Sequence, residues 1–329
     1  MEINTREDTI SNIASYYGVD AQTLRRHYKH EVSGFKEWAQ LSHAEDYCIY
    51  PENITSSLSI DEVSLSKGEL YTFVTNKNTG VKNKKTVVAV INGTEAKTIV
   101  EALEKIPLEK RNIVKEVTMD MARNMALAVE KSFPNSQKVI DRFHVVKLVM
   151  DAMQHLRVKH RWEAIDEENK AIKEAKLRGE KYFPEILSNG DTLKELLARS
   201  RYLLYKLEED WTLNQHNRAM ILFKKYPMLK QAYHLTLFFR SIYKSLSKEK
   251  ALEQFNSWKE KVIDSKIEVF NTVVNSIEYH LENILNFFYN RTTNANAESF
   301  NSKIKQFRAN LRGVTDVKFF LFRLEKLFA

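Results

Sequence analysis

Residues 1–54 alternate polar and apolar positions with a helical period. Ile10, Ile13, Ala14 and Tyr17 share one face, Gly18 interrupts it, and Asp20-Ala21-Gln22-Thr23-Leu24-Arg25-Arg26 opens a second helix. Ala14, Gly18 and Leu24 have the spacing of a helix-turn-helix: a small residue where the helices touch, glycine at the turn, an apolar residue on the second helix. Arg25, Arg26 and Lys29 then point outward, where they suit phosphates or base edges. The same pattern also describes an ordinary helical hairpin with a solvated basic face.

From Leu58 the period shortens to that of strands. Leu58–Leu65 is a first strand, Leu70–Thr75 a second, and Thr86–Ile91 a third, closed by Asn92-Gly93. Ala96, Ile99, Val100 and Leu103 then form the buried stripe of a helix, and Pro107 lies past its end. A fourth strand spans Ile113–Asp120, a helix runs from Ala122 to Phe133, and a fifth strand covers Lys138–Phe143. Three strands without helices between them, then helix, strand, helix, strand, is the order of an RNase H-like five-stranded mixed sheet flanked by helices, an α/β fold. In that topology the first and fourth strands are parallel neighbours.

Residues 147–290 show no strand pattern and read as long helices rich in Lys, Glu, Leu and aromatics. The expected organisation is therefore a helical, helix-turn-helix-like region at 1–54, a first part of the sheet domain at 55–146, an all-helical insertion at 147–290, and closing helices of the sheet domain at 291–329. In the last segment Phe300, Ile304, Phe307 and Leu311 make one apolar stripe. Glu298, Asn301, Lys305, Arg308 and Arg312 make a second face, an acid followed by an amide and cations.

Two strands carry acids where apolar residues belong: Asp61 inside the first and Asp120 at the end of the fourth. An ionised carboxylate in such a place asks for a cation or a metal. Acids on adjacent strands lie about 5 Å apart, the order of spacing that bridges two divalent ions. Glu298, with a basic face behind it, is the candidate third acid. Each has a blander reading: Asp61 is followed by Glu62, and one of the two could face solvent at a strand edge. Asp120 could cap the next helix, and Glu298 could complement a helix dipole. Asp141 competes with Asp120, but one strand further out it would lie about 10 Å from the first strand. His144 fits a structural hydrogen-bonding role better than a ligand role, as does Asp141 if Asp120 is the second acid.

Composition narrows the picture a little. The net charge of +8 over 329 residues suits a polyanionic partner. One cysteine, Cys48, excludes a disulfide framework within the chain and fits a reducing compartment. The first residues have no signal-peptide core, and no apolar run approaches a membrane span, so a cytoplasmic protein without a membrane partner is expected. There is no phosphate-cradling glycine loop, so no nucleotide cofactor is expected, and no Gly-x-Ser-x-Gly.

Ile60-Asp61-Glu62, Val117-Thr118-Met119-Asp120-Met121, Asp141-Arg142-Phe143-His144 and Glu298-Ser299-Phe300-Asn301-Ser302-Lys303-Ile304-Lys305 together resemble the DDE transposases of bacterial insertion sequences, ISL3-type group, over roughly residues 58–329. The resemblance implies a catalytic triad of Asp61, Asp120 and Glu298 holding Mg2+ or Mn2+, two ions in such enzymes. It implies double-stranded DNA, both transposon ends and target, as substrate. A homodimer on DNA would pair two ends, and a bacterial, nucleoid-associated location would follow. Asn301, Lys303, Lys305, Arg308 and Arg312 would line the strand backbone. Many members begin with a Cys-rich zinc-binding segment that these residues do not contain; such a part would be encoded separately or precede them. An inactivated relative acting as a DNA-binding regulator, and a plain RNase H-like nuclease, are the other readings of the same residues.

Overall fold

The computed structural model of the chain describes residues 2–66, 69–77, 86–291, 295–311 and 314–329, with the side chains of 65, 66, 295–299 and 301 excepted. It divides into two compact units, Met1–Asp141 with Asn290–Ala329, and Arg142–Tyr289.

The first unit is built on a sheet of six strands: β1 (Tyr47–Ile49), β2 (Ser57–Ser66), β3 (Glu69–Asn76), β4 (Val87–Asn92), β5 (Glu116–Met119) and β6 (Gln137–Ile140). Their order is β1-β4-β3-β2-β5-β6. β2, β3 and β4 form an antiparallel meander, while β5 joins β2, and β6 joins β5, in parallel. That is the RNase H-like order with one strand added at the edge. The five strands expected from the sequence are thus six. β1 pairs antiparallel with β4, Cys48 opposite Val90. Its three residues are too few to show an alternation, and they sit in a stretch whose other signals are helical.

Around the sheet, α1 (Ile10–Tyr16) and α2 (Ala21–His27) form a helical pair whose caps, Thr9 and Asp20, accept from Asn12 N–H and Thr23 N–H. Gly18 joins them at φ +66°, a left-handed conformation that glycine adopts without a Cβ clash. α3 (Ala96–Leu103), the single turn α4 (Leu108–Arg111) and α5 (Arg123–Ser132) follow, α3 and α5 packing on each other and on the sheet.

The opposite face receives the C-terminal helices of this unit, which follow those of the second unit in the chain. In the second unit, α6 (Arg142–Leu177) is a 36-residue helix, followed by α7 (Leu193–Arg199), α8 (Leu213–Lys225), α9 (Pro227–Ile242), α10 (Lys248–Ser265), α11 (Glu268–Tyr279), α12 (Leu281–Leu285) and the turn α13 (Phe287–Asn290). Trp258 of α10 is fully buried, packs edge-on to Phe239 of α9 and donates Nε1–H to Leu235 O at 2.9 Å. The buried Asp191 carboxylate accepts from Arg199 and Arg218. Among the described residues no helix is long and apolar enough to cross a membrane.

α14 (Ala295–Asn310) and α15 (Val317–Phe328) return to the first unit. Phe300, Ile304 and Phe307 of α14 join Val63 and Phe73 of the sheet in one core with Phe319–Phe322 of α15 and with Ile3, Ile10, Ile13, Tyr28, Phe35 and Trp38 from the N-terminal segment. Phe35 meets Phe319 and Phe322 edge-on, each at 5.3 Å, and Trp38 Nε1–H donates to Glu325 at 2.6 Å. The N-terminal residues are therefore part of this core.

Candidate active site

β2 carries Asp61 in its interior, and Asp120 is the first residue after β5. The two strands run parallel with Ser59 opposite Thr118. Continued by two residues, that register leads to Asp61 on β2 and to Asp120 just past the end of β5, and both acids lie near enough to Glu62 to act on its carboxyl. Parallel neighbours are about 5 Å apart, so the sheet makes these distant residues adjacent. Both are half-buried. Asp61 Oδ1 accepts the Glu62 N–H, and Asp120 Oδ1 accepts the Ala122 N–H, each at 2.8 Å. The cap residue of α5 is Ala122 rather than Asp120, so the acid closes the turn ahead of the helix.

Glu62 is half-buried as well. Burial, then the charges of Asp120 and Asp61, push its carboxyl above the usual carboxylate range, and a hydrogen bond from Asn124 on α5 offsets part of that rise. Acids crowded this way repel one another, and a divalent cation relieves the repulsion. The donor set consists of hard carboxylate oxygens, which suits Mg2+ or Mn2+. The residues present fit such an ion. Among the described residues, however, no group of three or more His, Cys, Asp or Glu is arranged to hold one.

The third expected acid, Glu298, lies on α14, but its side chain, like that of Asn301, falls outside the described residues, and Arg312 does so entirely. The course of α14 is described. It packs on β2, the Phe300 ring lies 6.1 Å from that of Phe73, and Phe73 is the cross-strand partner of Asp61. Glu298 thus sits on the helix half a turn ahead of the residue that packs beside Asp61. Lys303 and Lys305 are exposed on the same helix, Lys303 3.3 Å from Glu7 Oε1. Arg308 is half-buried and donates to Ser64 O at 2.8 Å.

Arg25 and Arg26 are exposed on α2. Lys29 is not directed outward, as the helix-turn-helix pattern predicts. Its ammonium lies 2.6 Å from Asp316 and over the rings of Phe35 and Phe319, at 5.0 and 5.3 Å. α2 gives way to a π-helical turn at Tyr28–Val32, and that change of winding turns the side chain toward α15. The fifth strand also ends earlier than its apolar run suggests: β6 stops at Ile140, Asp141 is 4% exposed, and Arg142 already begins α6. His144, in the first turn of α6, is half-buried with its ring edge-on to Phe143.

Below the two acids lies a buried polar group that pattern reading overlooks. Lys77 donates to Glu116 Oε1 at 3.0 Å and to Thr118 Oγ1, and Asn290 donates to Glu116 Oε2 at 3.2 Å. Glu116, an acid inside the apolar run of a central strand, was the available signal. Lys77, in a polar connection, offers none.

Three comparisons bear on identity. A family model described as a transposase, of the ISL3-type DDE group, matches residues 58–324. The transposase for insertion sequence element IS1001 from Bordetella parapertussis is 22% identical over 272 residues, covering 82% of this chain. The chain spans 60% of the length of that relative. The Drosophila P element transposase strand transfer complex aligns over 98% of this chain and 91% of its own, with 12% identity and a TM-score of 0.38. The fold assignment rests on the strand order.

Proposed function

The chain belongs to the ISL3-type DDE transposase family, and from that premise we propose that it cleaves and joins DNA at the ends of an insertion sequence, with Asp61, Asp120 and Glu298 as its metal-holding acids. The observation that supports the proposal is the parallel register of β2 and β5, Ser59 opposite Thr118, which leads toward Asp61 on one strand and Asp120 just past the end of the other. The packing of α14 on β2, with Phe300 beside Phe73, the cross-strand partner of Asp61, supports including Glu298.

Asp61, Asp120 and Glu298 would hold divalent ions, which would supply Lewis acidity at the phosphoryl oxygens and an acidified water. The reaction class is in-line displacement at phosphorus: hydrolysis at the transposon end, then attack of the freed 3′-hydroxyl on target DNA, with no covalent protein intermediate. The carboxylates orient the reacting groups. Lys303 and Lys305 offer their exposed ammonium groups to the strand backbone, alongside Asn301, Arg308 and Arg312, with an affinity that falls steeply as salt rises. Arg25 and Arg26 offer a second basic contact from the helical pair. Two ends have to be joined in one event, so the working form is a homodimer on DNA.

The test is Asp61→Asn assayed with Mg2+ and Mn2+ on DNA carrying the element's ends. Strand cleavage should vanish while a mobility shift shows DNA binding nearly unchanged. Normal cutting by the variant removes the proposal. Strand-transfer products separate a transposase from a nuclease of the same fold.

A further inference from the structure

In the second unit, α6 and α7 hold a row of cations with no acid beside them. Gln154, Arg157 and Arg161 follow one another at steps of 3 and 4 on one face of α6. Arg157 is 5% exposed; its Nε donates to Gln154 Oε1 at 2.6 Å and its Nη1 to Leu197 O of α7 at 2.8 Å. The other end of the Gln154 amide, Nε2, donates to Arg201 O at 3.1 Å. One amide therefore fixes Arg157 beside the turn that carries Arg201, and Arg161 stands one helical turn further on. Three arginines are strung along about 10 Å of the α6–α7 seam.

Both acceptors of Arg157 are neutral, and among the described residues Arg161 and Arg201 form no ion pair. A guanidinium taken out of water without a carboxylate is a costly arrangement. Burial, and after it the charges of Arg161 and Arg201, pull the group below its ordinary range, as befits a cation without compensation. An anion from outside relieves such a row. The outer cation indicates which one. The Arg201 guanidinium lies over the Tyr202 ring, 5.4 Å from its centre, and Tyr202 is 68% exposed. Trp162, the neighbour of Arg161, is 61% exposed. Phosphates take guanidinium groups bidentately, and exposed rings stack on bases that have left a duplex. Resting on the reading that the chain acts on DNA, we propose that the α6–α7 seam binds an unpaired stretch of DNA strand: Arg161 and Arg201 contact its phosphates, Arg157 adds its field from beneath, and a base stacks on Tyr202. An acidic peptide would neutralise the row and leave the tyrosine without a partner.

The experiment measures binding of the full chain to a labelled oligothymidylate by fluorescence anisotropy, without divalent metal, beside a duplex carrying the element's ends. Circular dichroism verifies folding. The proteins are wild type, Arg161→Ala with Arg201→Ala, Tyr202→Leu and Tyr202→Phe. The arginine pair should reduce the slope of log affinity against log salt for the single strand by about 1.4, two contacts' worth. Tyr202→Leu should weaken the single strand about tenfold, Tyr202→Phe less than about twofold, and the duplex should change less than about twofold in every variant. An unchanged single-strand slope in the arginine variant, or equal losses on single strand and duplex, overturns the proposal. So does displacement of the strand by polyglutamate as readily as by unlabelled oligothymidylate, which would show that charge alone is read. Should the variants not fold, the wild type still decides: a strand carrying bromodeoxyuridine should photocrosslink at Tyr202 or Trp162, and crosslinks confined to other residues overturn the proposal. Wild type that binds the duplex and not the single strand removes this inference alone. Folded wild type that binds neither removes the DNA reading with it.

Discussion

Arg308 donates from Nη1 to the main-chain oxygen of Ser64 at 2.8 Å, across 244 positions of sequence. The bond ties the helix that carries Glu298 to the strand that carries Asp61. A guanidinium spent on a carbonyl is a positional device as well as a source of positive charge. Arg308→Lys keeps the charge and loses the fork geometry. At saturating DNA the variant should cleave about tenfold more slowly, because a small displacement of a reacting group costs that order of rate. Its DNA affinity should change little. Single-turnover cleavage beside a binding isotherm tells the two effects apart.

Lys29 and its neighbours on α2 should behave differently from each other. Lys29 is held by Asp316 and two aromatic rings, so Lys29→Met should lower stability by about 1–2 kcal/mol and leave the salt dependence of DNA binding unaltered. Arg25→Ala with Arg26→Ala should do the reverse, leaving the urea midpoint in place and reducing the slope of log affinity against log salt by about 2. A Lys29 variant with a reduced slope would show that the lysine reaches DNA.

Arg323 fastens the N-terminal segment to α15. It is 2% exposed, its Nη2 donates to Ile3 O at 2.9 Å and Asp8 O at 3.2 Å, and its guanidinium stacks over Phe307. Arg323→Met preserves most of the volume but leaves those carbonyls without their donor. The expected loss is about 2–4 kcal/mol, read as a lower urea midpoint with fluorescence of Trp38, which shares the same core, as the signal.

Glu62 makes the metal-free protein sensitive to pH. Its carboxyl is raised by burial, Asp120 and Asp61 above its ordinary value of 4.5. The folded state therefore binds a proton more readily than the unfolded state in the range just above that value, and stability falls as pH rises through it. Glu62→Gln should be more stable than wild type near neutral pH, with a flatter profile. Mg2+ should narrow the difference by screening the same repulsion. Urea midpoints measured from pH 4.5 upward, with and without Mg2+, check both statements.

Much of this arrangement is legible in local pattern. The alternation in β2, the dense β-branched and aromatic residues of β3 and β4, and the stripe of α3 are short-range signals, and each element forms close to where that signal lies. Asp61 stands out because an acid in a central strand violates the alternation around it. Boundaries were less legible. β5 is four residues long, where the apolar run spans eight, because Ile113 is exposed before the strand and Asp120 turns out of it.

Periodicity and turn residues act over a few neighbours, so the α/β class and the succession of strands and helices are readable from the sequence alone. Tertiary structure decided the rest. It added β1, which has too few residues for a period and exists through its pairing with β4. It turned Lys29 inward to Asp316 and drew Ile3, Tyr28 and Trp38 into the core of α15. It also placed Lys77 against Glu116, 39 positions away, beneath the acids. Electrostatic compensation is a matter of distance in space, and no spacing along the chain encodes it.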